Sequence, residues 1–221
     1  MDIALFDLDH TLIPFDSGAA FAHFLTARGA LPPGFEAEYT GYCLRYAAGT
    51  VDMVEMHRFT VGALAVHDAA ELRHWLLGFQ EDIAPRIPRA AKQLVQDHQA
   101  AGHACALVTA TTRFVAEPFG ALLGLPVVLA TQPELGPDDR YTGEIVGQPC
   151  FREHKVTHVQ AWLARQGRGW SDVGRSWFYS DSIHDLPLLE AVNHPVAVNP
   201  DDQLLAQALA RGWRVCRLSG D

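Results

Sequence analysis

The sequence predicts an α/β protein: a doubly wound, mostly parallel sheet with a helical domain inserted near its start. Three observations predict it. Short apolar runs alternate with segments of helical periodicity from residue 88 onward, a long strand-poor stretch separates the first such run from the second, and pairs of acids follow two of the runs. Repeated strand and helix alternation is the pattern of a parallel sheet covered by helices.

Residues 3–6, IALF, are an uninterrupted apolar run of the kind that forms a strand buried on both faces. Residues 17–81 are rich in Ala, Leu, His and aromatics, with Pro32, Pro33 and Gly49 as breaks and almost no strand-like alternation. Thr11 and Thr109 therefore stand much further apart than the roughly 30 residues of a βαβ crossover. A small helical domain inserted over 15–86 is the economical account, leaving 1–14 and 87–221 as an α/β core. Residues 88–101 read as a helix, with Pro88 at its start and Gly102 beyond its end. A strand follows over 104–108, a helix over 114–123 closed by Gly124, and a strand over 126–130. Residues 140–146 suggest a small hairpin. Val156, Val159, Trp162 and Leu163 give 155–165 helical periodicity. Strands over 176–179 and 196–198 then alternate with helices over 185–191 and 203–210, completing a Rossmann-like order.

Composition excludes several classes. With 221 residues, 48% hydrophobic and 19% charged, the chain has material for a core and no low-complexity tract. A net charge of -9 argues against a nucleic-acid partner, which needs a basic stripe to neutralise phosphates. It leaves room for a phosphorylated small molecule, which a metal ion, backbone amides and one or two cations can hold. Cys43, Cys105, Cys150 and Cys216 form no CxxC pair, so neither a zinc knuckle nor a disulfide framework is indicated. No apolar run reaches the ~20 residues of a membrane span, and Asp2, Asp7 and Asp9 stand where a signal peptide needs positive charge. A cytoplasmic protein without a membrane or evident protein partner is expected.

The chemistry-bearing residues lie at strand ends. Asp7 and Asp9, two apart after the first strand, fall on one side of an extended chain, with Thr11 continuing the series. That is the sheet edge where open α/β folds bind ligands. Paired carboxylates there can hold Mg²⁺ or act as nucleophile and proton carrier; acids at strand exits also serve as turn formers and caps. The run Ser180 to Asp185 lands Asp181 and Asp185 after another strand, and a helix cap would account for one of these acids but not both. Thr109 ends a strand and Lys155 opens a helix, so a hydroxyl and an ammonium could meet phosphoryl oxygens at the same edge. Arg58 and Arg113 are candidate anion contacts. His57, His154 and His184 lack the HExxH or Cys/His setting of a zinc site.

Taken together, FDLDHT at 6–11, LVTAT at 107–111, Lys155 and SDSIHD at 180–185 resemble, in order, the four motifs of the haloacid dehalogenase superfamily of phosphohydrolases, in the phosphoserine phosphatase-like branch with a helical cap. The resemblance implies hydrolysis of a small phosphorylated metabolite. Asp7 would be the nucleophile that becomes an aspartyl-phosphate and Asp9 the acid and base. Mg²⁺ would be held by Asp7, the Asp9 carbonyl and Asp181, with Asp185 supporting the metal or orienting Lys155, and Thr109 and Lys155 would hold phosphoryl oxygens. Ala110, next to Thr109, joins the candidate substrate contacts. Asp16 stands where phosphoserine phosphatases carry a Glu facing the substrate amine, implying phosphoserine-like or histidinol-phosphate-like substrates; the alternative is that it caps the first cap helix. Two departures stand out: Ser180 replaces a frequent Gly, and Ala110-Thr111 replaces two glycines usual in the phosphoserine enzymes. Phosphotransfer to another alcohol and a non-catalytic phospho-ligand regulator remain alternatives.

Overall fold

The computed structural model describes residues 1–218. A six-stranded, all-parallel sheet forms its centre, in the order β3-β2-β1-β6-β7-β8. The strands are β1 (Ile3–Phe6), β2 (Ala104–Thr112), β3 (Val128–Thr131), β6 (Ser176–Ser180), β7 (His194–Val198) and β8 (Arg214–Cys216). An antiparallel ribbon of β4 (Pro133–Leu135) and β5 (Tyr141–Ile145) stands beside it. Helices α1 (Ser17–Thr26), α2 (Phe35–Ala47), α3 (Met53–Leu64) and α4 (Ala69–Ile83) lie between β1 and α5 (Arg89–Ala100); α6 (Arg113–Leu123), α7 (Glu153–Ala164), α8 (Leu186–Ala191) and α9 (Asp202–Arg211) complete the chain. The fold is α/β and Rossmann-like, and among the described residues no helix is long and apolar enough to cross a membrane.

The alternation of side chains along β1 divides the interior in two. Ala4 and Phe6 join the cluster built with α1 to α6, whereas Ile3 and Leu5 join Val159 and Leu163 of α7, Leu188 and Leu189 of α8, and Leu204 and Ala208 of α9. All four residues of β1 are buried, which accounts for their uninterrupted apolar character. The first cluster extends without a break into the helices that follow β1. Phe79 of α4 meets Phe21 of α1 at 5.0 Å and Phe119 of α6 at 5.8 Å, and Phe21 meets Phe114 of α6 at 5.2 Å. Such tilted and edge-on contacts suit the aromatic quadrupole. At the other side α3 lies against β5, where a Cβ on Gly143 would come 3.5 Å from the Gly62 Cα.

Several element boundaries differ from the sequence expectation. The strand expected over 104–108 continues to Thr112, past a shift of register against β3 after Val108. The extension is irregular, so no simple alternation announces it. The 126–130 strand begins and ends later, at Val128 and Thr131. Residues 140–146 supply one arm of a hairpin, its partner being Pro133–Leu135. The helix expected from Asp185 is preceded by a tight Ile183–Asp185 turn, because Ser182 Oγ accepts the His184 amide at 3.3 Å. β8 was not anticipated; three half-exposed residues carry no periodic signal.

The strand order fixes where a ligand can lie. From β1 the chain winds outward to β2 and β3, and from β6 it winds the opposite way to β7 and β8. The carboxyl ends of β1 and β6 therefore flank the switch point, the crevice where sheets of this kind bind ligands.

Candidate active site

Asp7 leaves β1 still in the ladder, its amide donating to the Tyr179 carbonyl at 2.9 Å. The next residues turn sharply: the amides of Thr11, Leu12 and Ile13 converge on the Leu8 carbonyl at 3.3, 2.9 and 3.1 Å. His10 takes a left-handed φ of 56°. The Asp9 carbonyl takes none of those amides. This loop buries Thr11 and aims its hydroxyl across the switch point, donating to Asp181 Oδ1 at 2.9 Å and, more weakly, to Asp7 Oδ2 at 3.3 Å. Thr11 thus draws together the acids following β1 and β6.

Lys155, in the first turn of α7, is 2% exposed and ends between two carboxylates. Its Nζ donates to Asp7 Oδ1 at 2.8 Å and to Asp185 Oδ2 at 2.7 Å. Ser180 Oγ donates to the same Asp185 oxygen at 2.7 Å, so the side chain that replaces glycine here pins Asp185. Asp185 Oδ1 is buried without a hydrogen-bond partner.

Electrostatics follow from burial and an imbalance of charge. Burial pushes the Asp7 carboxyl up to about 6, although the Lys155 ammonium pulls it down. Asp9 rises to about 7, through burial and then the charges of Asp16 and Asp7, and Asp181 to about 8, through burial and then Asp7. Burial disfavours the Lys155 ammonium, but Asp185 and Asp7 outweigh it and hold its pKa well above the ordinary value. One ammonium does not balance this many acids, so the site favours a further cation.

The donors that fit one are hard oxygens: the Asp7 and Asp181 carboxylates, tied to a common hydroxyl, and the Asp9 carbonyl left out of the loop's bonding. No group of three or more His, Cys, Asp or Glu side chains among the described residues is gathered as a metal cage. Two carboxylates and a carbonyl match the habit of Mg²⁺, which keeps several waters and takes only one or two protein carboxylates.

Beside these acids opens a cavity of about 520 Å³. Its apolar wall comes from the helices after β1, including Phe21, Leu31, Phe35, Met53, Met56 and Leu64. Asp16 lines it and also caps α1, accepting the Ala19 amide at 2.6 Å and the Tyr39 hydroxyl at 3.1 Å. Both sequence readings of Asp16 are thus geometrically available. The Tyr39 contact depends on Gly18, where a Cβ would collide with the tyrosine oxygen.

The other expected residues divide. Ala110 lines the cavity, and its carbonyl accepts Thr131 Oγ1 at 3.0 Å. Thr109 lies fully buried behind that lining, accepting the Thr111 amide on its hydroxyl at 3.2 Å. Arg58 and Arg113 are not brought to the cavity. Arg58 pairs with Glu144 at 2.7 Å and Arg113 with Glu117 at 2.8 Å, all four substantially exposed. Residues missed from sequence include Ser17 and Thr111, both bonded to Asp9. Hydroxyls at a helix start or within a strand carry no distinctive spacing, so no pattern singled them out as partners of Asp9. His57, weighed above only as a zinc ligand, lines the cavity as a buried imidazole whose pKa burial lowers to about 4.

The model of the haloacid dehalogenase-like hydrolases matches residues 4–190. A histidinol-phosphatase of Neisseria meningitidis is 38% identical over 216 residues, covering 97% of each chain. The phosphoserine phosphatase SerB1 of Mycobacterium tuberculosis is 32% identical, over 96% of this chain and 69% of its own. Among solved structures, a protein of unknown function from Bordetella pertussis Tohama I superposes with a TM-score of 0.92 at 44% identity, covering 99% of both chains. A substrate-bound phosphoserine phosphatase gives 0.66 at 17% identity over 100% of this chain and 94% of that one, a likeness of fold.

Proposed function

The chain belongs to the haloacid dehalogenase-like hydrolases, and from that membership we propose a Mg²⁺-dependent phosphomonoesterase acting on a small amino-alcohol phosphate of the histidinol-phosphate kind. The observation that carries the chemistry is Asp7, its Oδ1 held by Lys155 at 2.8 Å and its other oxygen reached by the Thr11 hydroxyl that also holds Asp181. Asp7 attacks phosphorus; the bond to the leaving oxygen breaks, and that oxygen takes its electron pair and the Asp9 proton. Water then attacks the aspartyl-phosphate, yielding its proton to Asp9, and the bond between phosphorus and Asp7 breaks to release phosphate. The carboxyl of Asp9, pushed up to about 7, can hold a proton for the first step and shed it for the second. Lys155 keeps Asp7 oriented, and with Thr109, which lies within β2 behind the cavity lining, would offer positive and polar atoms to phosphoryl oxygens seated against Asp7. Asp7, Asp181 and the Asp9 carbonyl would hold Mg²⁺, whose charge would offset the repulsion between carboxylate and phosphate. Residues 15–86 act as the cap and 1–14 with 87–221 as the core, whose last three residues lie outside the described ones.

The substrate class follows from the cavity. No arginine or lysine among the described residues lines it, whereas Asp7, Asp9, Asp16, Asp181, Asp201 and Asp202 do. A carboxylate on the leaving group, as in phosphoserine, would lack a cation there. An ammonium finds Asp16, and a planar or apolar body finds the Phe, Met and Leu wall. Phosphate release from histidinol phosphate and from phosphoserine, with Mg²⁺ or with chelator, tests the reading in wild type, Asp7→Asn and Asp16→Ala. Histidinol phosphate should be preferred, Asp7→Asn and chelator should abolish turnover, and Asp16→Ala should lower kcat/KM for the amino alcohol by about ten- to a hundredfold, the loss of one charged hydrogen bond. Equal turnover by Asp7→Asn, or a preference for phosphoserine, would overturn it.

A further inference from the structure

We propose that Thr111 is a positioning residue that sets the carboxyl of Asp9 for proton transfer. The inference rests on the phosphomonoesterase reading, because it concerns how the leaving oxygen receives its proton. Asp9 is held by two neighbours from different elements. The Ser17 amide, at the start of α1, donates to Oδ1 at 2.5 Å, and Thr111 Oγ1, near the end of β2, donates to Oδ2 at 2.8 Å. The two neighbours also meet each other, Ser17 Oγ lying 3.0 Å from Thr111 Oγ1. A ring of hydrogen bonds thus closes around one carboxyl.

The placement of the donors distinguishes the two oxygens. Each accepts one hydrogen bond and keeps a second lone pair; Oδ1 is bonded from the buried Ser17, whereas Oδ2 is bonded by Thr111 from the cavity lining, so the transferable proton belongs on the free lone pair of Oδ2. As the proton departs, the donor is already in place for the carboxylate that forms, and the side chain cannot rotate away; this is preorganisation around developing charge. Asp9 and Thr111 both line the cavity, whereas Ser17 is fully buried behind them. The residue is also a departure, because the phosphoserine enzymes that this stretch resembles have glycine there and glycine has no hydroxyl to offer.

Leaving-group dependence separates this role from simple packing. The first transfer to Asp7 governs kcat/KM, and an alkyl leaving oxygen needs a proton while p-nitrophenolate does not. The experiment compares kcat/KM for histidinol phosphate and p-nitrophenyl phosphate in wild type, Thr111→Val, Thr111→Ala and Thr111→Ser. Valine or alanine should lower the value for the alkyl ester at least about tenfold more than for the aryl ester, a part of the 10²–10⁴ contributed by general acid catalysis. Serine should restore the wild-type ratio of the two substrates. Equal losses for both esters, or failure of serine to restore the ratio, would overturn the role of Thr111 alone. Absence of phosphate release by wild type from either ester would instead overturn the phosphomonoesterase reading, and this inference with it.

Discussion

At the scale of the residue, Lys155 carries a large consequence because it is a charged side chain only 2% exposed to water. Its ammonium lies between Asp7 and Asp185, and removing it leaves buried carboxylates without their partner. Lys155→Met should cost about 3–5 kcal/mol of stability, read by urea unfolding at neutral pH. The deficit should shrink at pH 5. Without the ammonium the Asp7 pKa climbs further above its unfolded value, so the penalty applies where Asp7 is charged and fades as it takes a proton. How far such residues can be read from sequence depends on what announces them. Asp7, Asp9, Asp181 and Asp185 follow apolar runs, and two strands of a parallel sheet deliver their ends to one edge. Thr111 offers no such signal; it lies in an irregular strand extension, and its bond to Asp9 spans distant parts of the chain. Arg58 and Arg113 illustrate the opposite failure. Charge at a suggestive place in sequence is as easily used by an exposed glutamate nearby as by a ligand.

At the scale of the element, α6 shows how packing reverses a local preference. A glycine inside a helix is ordinarily improved by alanine, by about 1 kcal/mol. At Gly120 a Cβ would come 2.7 Å from Val128 Cγ2 and 3.0 Å from the Leu125 carbonyl, because the helix lies directly on the start of β3. Gly120→Ala should therefore lower stability by about 1–3 kcal/mol, as overpacked sites do, seen as a lower thermal midpoint. A rise would show that α6 can lift off the sheet. The central strands and the later helices were legible because burial on two faces or one writes itself into apolar runs and periodicity. β8 and the arms of the β4 and β5 ribbon are short and partly exposed, so neither burial nor periodicity marks their bounds, although the hairpin around 140–146 is legible.

At the scale of the whole molecule, the surplus of buried acid links stability to pH and to metal. Asp9 and Asp181 carry raised pKa values of about 7 and 8, so the folded chain binds more protons than the unfolded one between the ordinary carboxylate range and those values. Stability of the metal-free protein should fall as pH rises through that window. His57 and His98, each lowered to about 4, act in the opposite sense only up to their unfolded value near 6.5. Between about pH 6.5 and 8.5 the acids prevail. Thermal scans there should show a falling midpoint without metal, and added Mg²⁺ should raise it more at the upper end than at the lower. The strand order carries a different consequence, in time. Ile3 pairs with Ala104 on one side and with Ser176 on the other. During synthesis the strand bearing Asp7 emerges early and waits for partners made much later, and such long-range closure is slow to form. A nascent chain that has not yet delivered β6 has neither the second wall of the crevice nor Asp181. The chemistry switches on only when most of the sheet has been assembled, so a half-made chain has no opportunity to hydrolyse anything.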